Sequence, residues 1–216
     1  MNKVKSFGEN VEGYTIPVLN EREIRASAGL LFLVLFASIM KVYFQGDFLL
    51  LKYFVTVFLT DMIIRVFVNP KFSPSLILGR LIVRNQVPEY VGAPQKRFAW
   101  KIGLALASLM FFLLVIVNAH SFITGFSCIV CLLFLFFESA FGICLGCLFY
   151  RWYYKEKAEY CPGEVCEAKD KQDIQKISKT QIVVLFSFAV FVLSVIIFLN
   201  ERFSERPNNL WDVLNF

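Results

Sequence analysis

Five apolar runs, each long enough to cross a bilayer, constrain this 216-residue chain more than any other feature. A spanning helix needs about 20 mostly apolar residues, because the hydrocarbon core is roughly 30 Å thick and a helix rises about 1.5 Å per residue. The runs cover residues 26–44, 48–68, 102–119, 121–150 and 180–200. Backbone amides inside lipid must be satisfied within their own segment, so the runs are expected to be helices. The fold class that follows is all-α: a polytopic transmembrane helix bundle with five spans. With 57% hydrophobic residues and 25 Phe, a soluble domain of this size has too little interior to hide the apolar surface. The partner that composition implies is the lipid bilayer.

The positive residues lie between the runs, and there they speak to topology and not to nucleic acid. Residues 69–101 hold Lys71, Arg80, Arg84, Lys96, Arg97 and Lys101, and residues 151–179 hold seven more Lys or Arg. The turn around His120 holds none. Alternation then puts the N-terminus and both basic segments in the cytoplasm and the C-terminus outside a cell inner (plasma) membrane. No secretory leader is visible in the polar first 25 residues. The expected parts are a cytoplasmic segment 1–25, a four-helix unit 26–154, a cytoplasmic loop 155–179, a fifth span 180–200 and an external tail 201–216. Ser73-Pro74 reads as an N-cap with proline at the first helical position. It opens a short interfacial helix whose apolar face is Leu76, Ile77, Leu81 and Ile82. Tyr150, Trp152, Tyr153 and Tyr154 read as an aromatic belt. The run 121–150 is too long for a straight span and must tilt, bend or begin late.

Six cysteines form three pairs: Cys128/Cys131, Cys144/Cys147 and Cys161/Cys166. The first sits in an uninterrupted apolar run and reads as packing. Cys144-Leu145-Gly146-Cys147 has the C-x-x-C spacing of redox thiols, but on an unbroken helix it falls near the C-terminus, whose partial negative charge disfavours a thiolate. Two small side chains filling a helix contact is the plain alternative. Cys161 and Cys166 flank a Pro-Gly turn and are expected as a second exchangeable pair. Cys144, Cys147, Cys161 and Cys166 together have the donor count for zinc or an iron–sulfur centre, although the helical first pair is poorly placed to close such a site. No cofactor can be named from these residues.

Asp61 and Arg65 stand one helical turn apart as an ion pair. Glu138 is the deepest charge along the runs and has no local partner. It needs Arg65, Asn118 or a proton. Gly142 and Gly146 offer a G-x-x-x-G face for a homodimer.

Several motifs occur in order: Asn20-Glu21, Asp61-x-x-x-Arg65, Pro70-Lys71-Phe72-Ser73-Pro74, Ala93 to Ala99, and Glu138 to Cys147. On them the chain resembles the domain-of-unknown-function 4395 family, bacterial membrane proteins that look like four-helix units. The resemblance implies no activity. It marks Asp61, Arg65, Lys96, Arg97, Glu138, Cys144 and Cys147 as motif positions and is silent on Cys161, Cys166 and the fifth run.

Three functions fit. One is thiol–disulfide or sulfane-sulfur handling at the cytoplasmic face, with a thiol redox or sulfurtransferase partner. Another is a small anion transporter or channel subunit drawing on Arg65, Lys96 and Arg97 with Glu138 as a gate. The third is a non-catalytic scaffold. No nucleotide loop, haem ligand set or hydrolytic triad occurs, so whether the chain is an enzyme at all stays open.

Overall fold

A computed structural model describes residues 7–147 and 176–210. The elements run β1 (Val18–Asn20), α1 (Glu21–Gln45), α2 (Leu49–Ile63), α3 (Pro74–Val83), β2 (Tyr90–Gly92), α4 (Ala93–Phe111), β3 (Ala119–His120), α5 (Phe122–Phe136), α6 (Lys179–Ser204) and β4 (Asn208–Asn209). Three helices continue for a turn as π-helix: α2 through Ile64–Val68, α4 through Phe112–Ile116 and α5 through Phe137–Phe141. Two short ribbons, β1 with β2 and β3 with β4, tie chain ends to the bundle at its opposite poles.

Among the described residues, four helices are long and apolar enough to cross a bilayer: α1, α4, α5 and α6. The segment read as the second span is a 15-residue helix plus its π turn. It runs through the centre of the bundle, where Leu51, Phe54, Val55, Phe58 and Met62 pack against Leu35, Ala107, Met110, Leu114, Cys128 and Cys131. The outer surface is apolar, with Phe122 86% and Phe198 82% exposed. No water-soluble exterior looks like this.

Several boundaries move. Helix α1 begins at Glu21, five residues before the apolar run, because Asn20 caps it by accepting the N–H of Arg22. Helix α4 begins at Ala93, nine residues before its run, so Lys96 and Arg97 fall in its first turns and not in a loop. The run 121–150 is not one helix. The N–H groups of Gly142 and Ile143 both turn back to the Phe137 carbonyl, Gly142 adopts φ +67°, and residues 142–144 leave the helix. A left-handed residue with these backbonds is a common helix stop, and glycine takes it without Cβ strain.

Helix α3 starts at Ser73-Pro74 as expected. Its faces differ from the expected ones. Leu76, Ile77 and Arg80 turn inward against α1, whereas Leu81 and Ile82 are 39% and 57% exposed. Gly79 makes this possible, since a Cβ there would stand 2.3 Å from the Glu23 carbonyl oxygen. Gly79→Val is therefore expected to separate α3 from α1 and cost at least about 3 kcal/mol. Denaturant titration of the purified variant against the parent checks it.

Helix α6 packs on α2 and α3. It is held at both ends, by Gln181 Nε2 donating to Lys71 O at 2.8 Å and by Lys52 Nζ donating to Glu205 O at 2.7 Å. Lys52 also reaches Asn118 Oδ1 at 2.8 Å. Nothing in the pattern of runs singled out this buried lysine. The aromatic belt at Tyr150–Tyr154, by number 150–154, lies outside the described residues.

Candidate functional site

At the pole where α1 and α4 begin and α5 ends, two buried charge clusters stand side by side. The first joins Asp61 and Arg65. Arg65 Nε donates to Asp61 Oδ2 at 2.8 Å and to Ser73 Oγ at 3.1 Å, while Nη2 donates to Ser27 Oγ at 2.7 Å and Ser75 Oγ at 2.5 Å. Asp61 in turn accepts from Ser73 Oγ, Ser75 Oγ and the Ser75 N–H. Trp100 covers the guanidinium, its ring centre 5.2 Å from Cζ. The serines come from two separate segments of the chain: Ser27 from α1, Ser73 and Ser75 from the start of α3. The ion pair expected from sequence is present, and its work is to clamp α3 and α1 onto α2. A guanidinium so fully engaged has little left to offer a passing anion.

The second cluster centres on Lys96, which is fully buried. Its ammonium lies 2.7 Å and 3.0 Å from the two oxygens of Glu21 and 2.6 Å from Glu138 Oε1. Glu138 therefore has neither of the side-chain partners expected for it. Asn118 sits at the opposite pole on Lys52, and Arg65 is spent on Asp61. Glu138 is also not deep: its side chain is 15% exposed, at the end of the bundle. Two carboxylates on one ammonium leave a formal charge of −1 in a site screened from water. Glu21 also interacts electrostatically with Arg25, which helps to hold that charge. Arg97, by contrast, is exposed and stacks its guanidinium 4.8 Å from the centre of the Phe7 ring.

The Cys144/Cys147 pair adjoins this cluster. After the stop at Gly142 the chain turns, and residues 145–147 are helical again. Cys144 thus precedes a helical turn instead of ending one, and its Sγ accepts the N–H of Cys147 at 3.3 Å. The sign of the local backbone field is the reverse of the one an unbroken helix implies. The two side chains are themselves in hydrogen-bonding contact, both thiols are free, and Cys144 is 8% exposed while Cys147 is half-buried. Lys96 and Glu138 both act electrostatically on Cys144. Gly146 sets the turn down on α4, where a Cβ would stand 2.5 Å from Ala99 Cβ. Gly142 lies under the Arg25 guanidinium. The two glycines therefore share no helix face, and the spacing that suggested a dimer contact serves approaches within one chain.

A cavity of about 50 Å³ opens between these groups, room for one or two waters. Arg65, Glu138, Cys131 and Cys144 share its wall with Phe58, Met62 and Trp100. Cys131, with Cys128, otherwise belongs to the apolar core, as a packing role requires. Cys161 and Cys166 lie outside the described residues, and so does any site that needs them. Among the described residues no cluster of three or more metal-ligating side chains occurs.

Sequence reasoning missed Glu21 as the second carboxylate on Lys96, Lys52 at the far pole and the serine collar around Arg65. Two of these carried a signal. Glu21 and Ser73 both sit in the motif blocks that carry the family resemblance, far apart along the chain and together here.

No curated protein and no solved structure matches the chain. A family model described as a domain of unknown function (DUF4395) matches residues 19–155, which takes in both charge clusters and the cysteine pair and stops before α6. That match spans well over half of the sequence, and the chain belongs to the DUF4395 family.

Proposed function

We propose that this protein is a membrane dithiol carrier whose Cys144 and Cys147 pass between dithiol and disulfide at the cytoplasmic face of an inner membrane. The observation that carries the reading is the paired thiol geometry, with the Cys147 N–H aimed at Cys144 Sγ at 3.3 Å beside the Lys96 ammonium. The hydrogen bond with the Cys147 side chain, burial and the Glu138 carboxylate hold the Cys144 thiol above its ordinary range in the resting dithiol. The backbone donor and the Lys96 ammonium act the other way and favour the thiolate, the form that attacks a disulfide. Cys147 is the more accessible thiol and meets the partner. Its thiolate attacks a partner disulfide, forming a mixed disulfide and expelling one partner thiolate. Cys144 then attacks the Cys147 sulfur, closing the Cys144–Cys147 bond and expelling the second. Two electrons and the two thiol protons pass to the partner, which leaves as a dithiol.

On this reading the segment Leu49–Val68 is a fifth span, the N-terminus and both basic segments face the cytoplasm, and Cys161 and Cys166 can take the next exchange. Sulfane sulfur is the other cargo the same pair could carry. Site-resolved alkylation in cells separates these outcomes. Diamide is expected to protect Cys144 and Cys147 together from alkylation, while a sulfur cargo adds one sulfur atom to either. If both thiols stay reduced and unmodified under diamide and under sulfide, the carrier reading fails and a scaffold role takes its place.

A further inference from the structure

We infer that the groove between the start of α1, the end of α3 and the π turn of α5 is a binding site for the headgroup of an anionic phospholipid. The groove has a volume of about 440 Å³ and opens to the outside. Arg22 and Arg25 line it, with Gly29, Gln86, Glu89 and Ser139 around them. Arg22 is held by Glu89 at 2.7 Å and by Gln86 at 3.1 Å, yet its Nε is buried and has no hydrogen-bond partner. A buried donor without a partner costs about 1–3 kcal/mol, so Arg22 gains from an acceptor that can reach its guanidinium. Arg25 makes no ion pair among the described residues. Glu21, which acts on it electrostatically, is in contact with Lys96. Glu89 balances Arg22 among the groove's own residues, so the two arginines and one carboxylate that line it carry a net charge of +1, a match for a phosphate oxygen.

What turns a phosphate site into a lipid site is the surface leading away from it. Residues 22, 25, 29, 33 and 36 lie along one stripe of α1, spaced by three or four. The stripe begins with the two arginines, passes Gly29 in the groove, and continues over Leu33 and Phe36, which are exposed. Across the seam the same change occurs on α5, from Ser139 in the groove to the exposed Phe136 one turn deeper, whose ring meets Phe32 at 5.5 Å. A polar, cationic mouth that runs without a break into an apolar seam has the profile of a phospholipid, headgroup at the interface and chains along the helices. The net positive lining favours a headgroup with net negative charge, because a choline headgroup brings its own cation.

This inference is independent of the thiol chemistry. The full-length protein, purified in a neutral detergent, is melted alone, with phosphatidylglycerol, with phosphatidylcholine and with soluble glycerol phosphate. A ligand that binds only the folded state raises the melting temperature, here by about 5 °C at saturating lipid. Phosphatidylglycerol is expected to give that rise and the other two to give less than a third of it. Arg25→Gln is expected to abolish the rise, while Arg84→Gln, on an exposed arginine outside the groove, keeps it. An equal rise with phosphatidylcholine, an equal rise with glycerol phosphate, no rise at all, or a rise undiminished in Arg25→Gln would each overturn the assignment.

Discussion

Asp61→Ala is expected to destabilise this protein by about 3–5 kcal/mol. The charge it removes is the sole counter-ion in contact with Arg65 among the described residues, and Arg65 cannot give up its proton to escape burial. The same substitution leaves the Ser73 and Ser75 hydroxyls and the Ser75 N–H without the acceptor they share. Asp61→Asn keeps an acceptor for that N–H but removes the charge, so its loss should fall between those of parent and alanine. The double change Asp61→Asn with Arg65→Met removes both charges together and is expected to be less damaging than Asp61→Ala alone, since no buried ion is left unpaired. Denaturant or SDS titration of the four purified proteins gives their order. Asp61→Ala within about 1 kcal/mol of the parent would mean that the serine collar carries Arg65 without its carboxylate, and the clamp would have to be reassigned.

The helices were legible because lipid leaves one option for a long apolar run. Apolar length and the Ser73-Pro74 start each map onto an element of the fold. What escaped was whatever depends on polar residues at the ends of those runs. Asn20 and Gly92 start α1 and α4 well ahead of the apolar stretch, so Glu21 and Lys96 read as loop charges although both are buried helix residues. Gly142 carried the opposite error. A glycine inside an apolar run looks like a close-packing position, yet the two N–H groups returned to Phe137 make it a stop. From that one residue follow the direction of the backbone field at Cys144 and the loss of the dimer face. Lys52 was passed over for a related reason: one cation does not interrupt a hydropathy window, and its partners, Asn118 and the Glu205 carbonyl, come from the ends of other elements. The charge pairs follow the same division. Asp61 and Arg65, four residues apart, could be paired from the chain alone, whereas Lys96 finds Glu21 and Glu138 across 75 and 42 residues.

Lys96→Met separates the structural from the chemical use of the second cluster. Methionine fills nearly the same volume without the charge, so packing is largely retained and the loss is electrostatic. Glu21 and Glu138 then face each other with no ammonium between them, in a place where Glu21 has no access to water. Like charges held this close and this dry cannot both persist, and the expected cost is again about 3–5 kcal/mol. Adding Glu138→Gln to Lys96→Met removes the repulsion and should recover more than half of the loss, a rescue that a mere packing defect would not allow. The thiol gives the second readout. With the cation gone, the thiolate at Cys144 loses an attractive neighbour and keeps a repulsive one, so alkylation by a small uncharged reagent at fixed pH should slow by about tenfold, the effect of roughly 1.4 kcal/mol on the ionised form. In the rescued double variant the repulsive carboxylate is gone as well, and the rate should return part of the way. Slower alkylation with unchanged stability would mean that Lys96 serves the thiol and not the fold; lost stability with unchanged alkylation would mean the reverse and would remove the cluster from the dithiol chemistry.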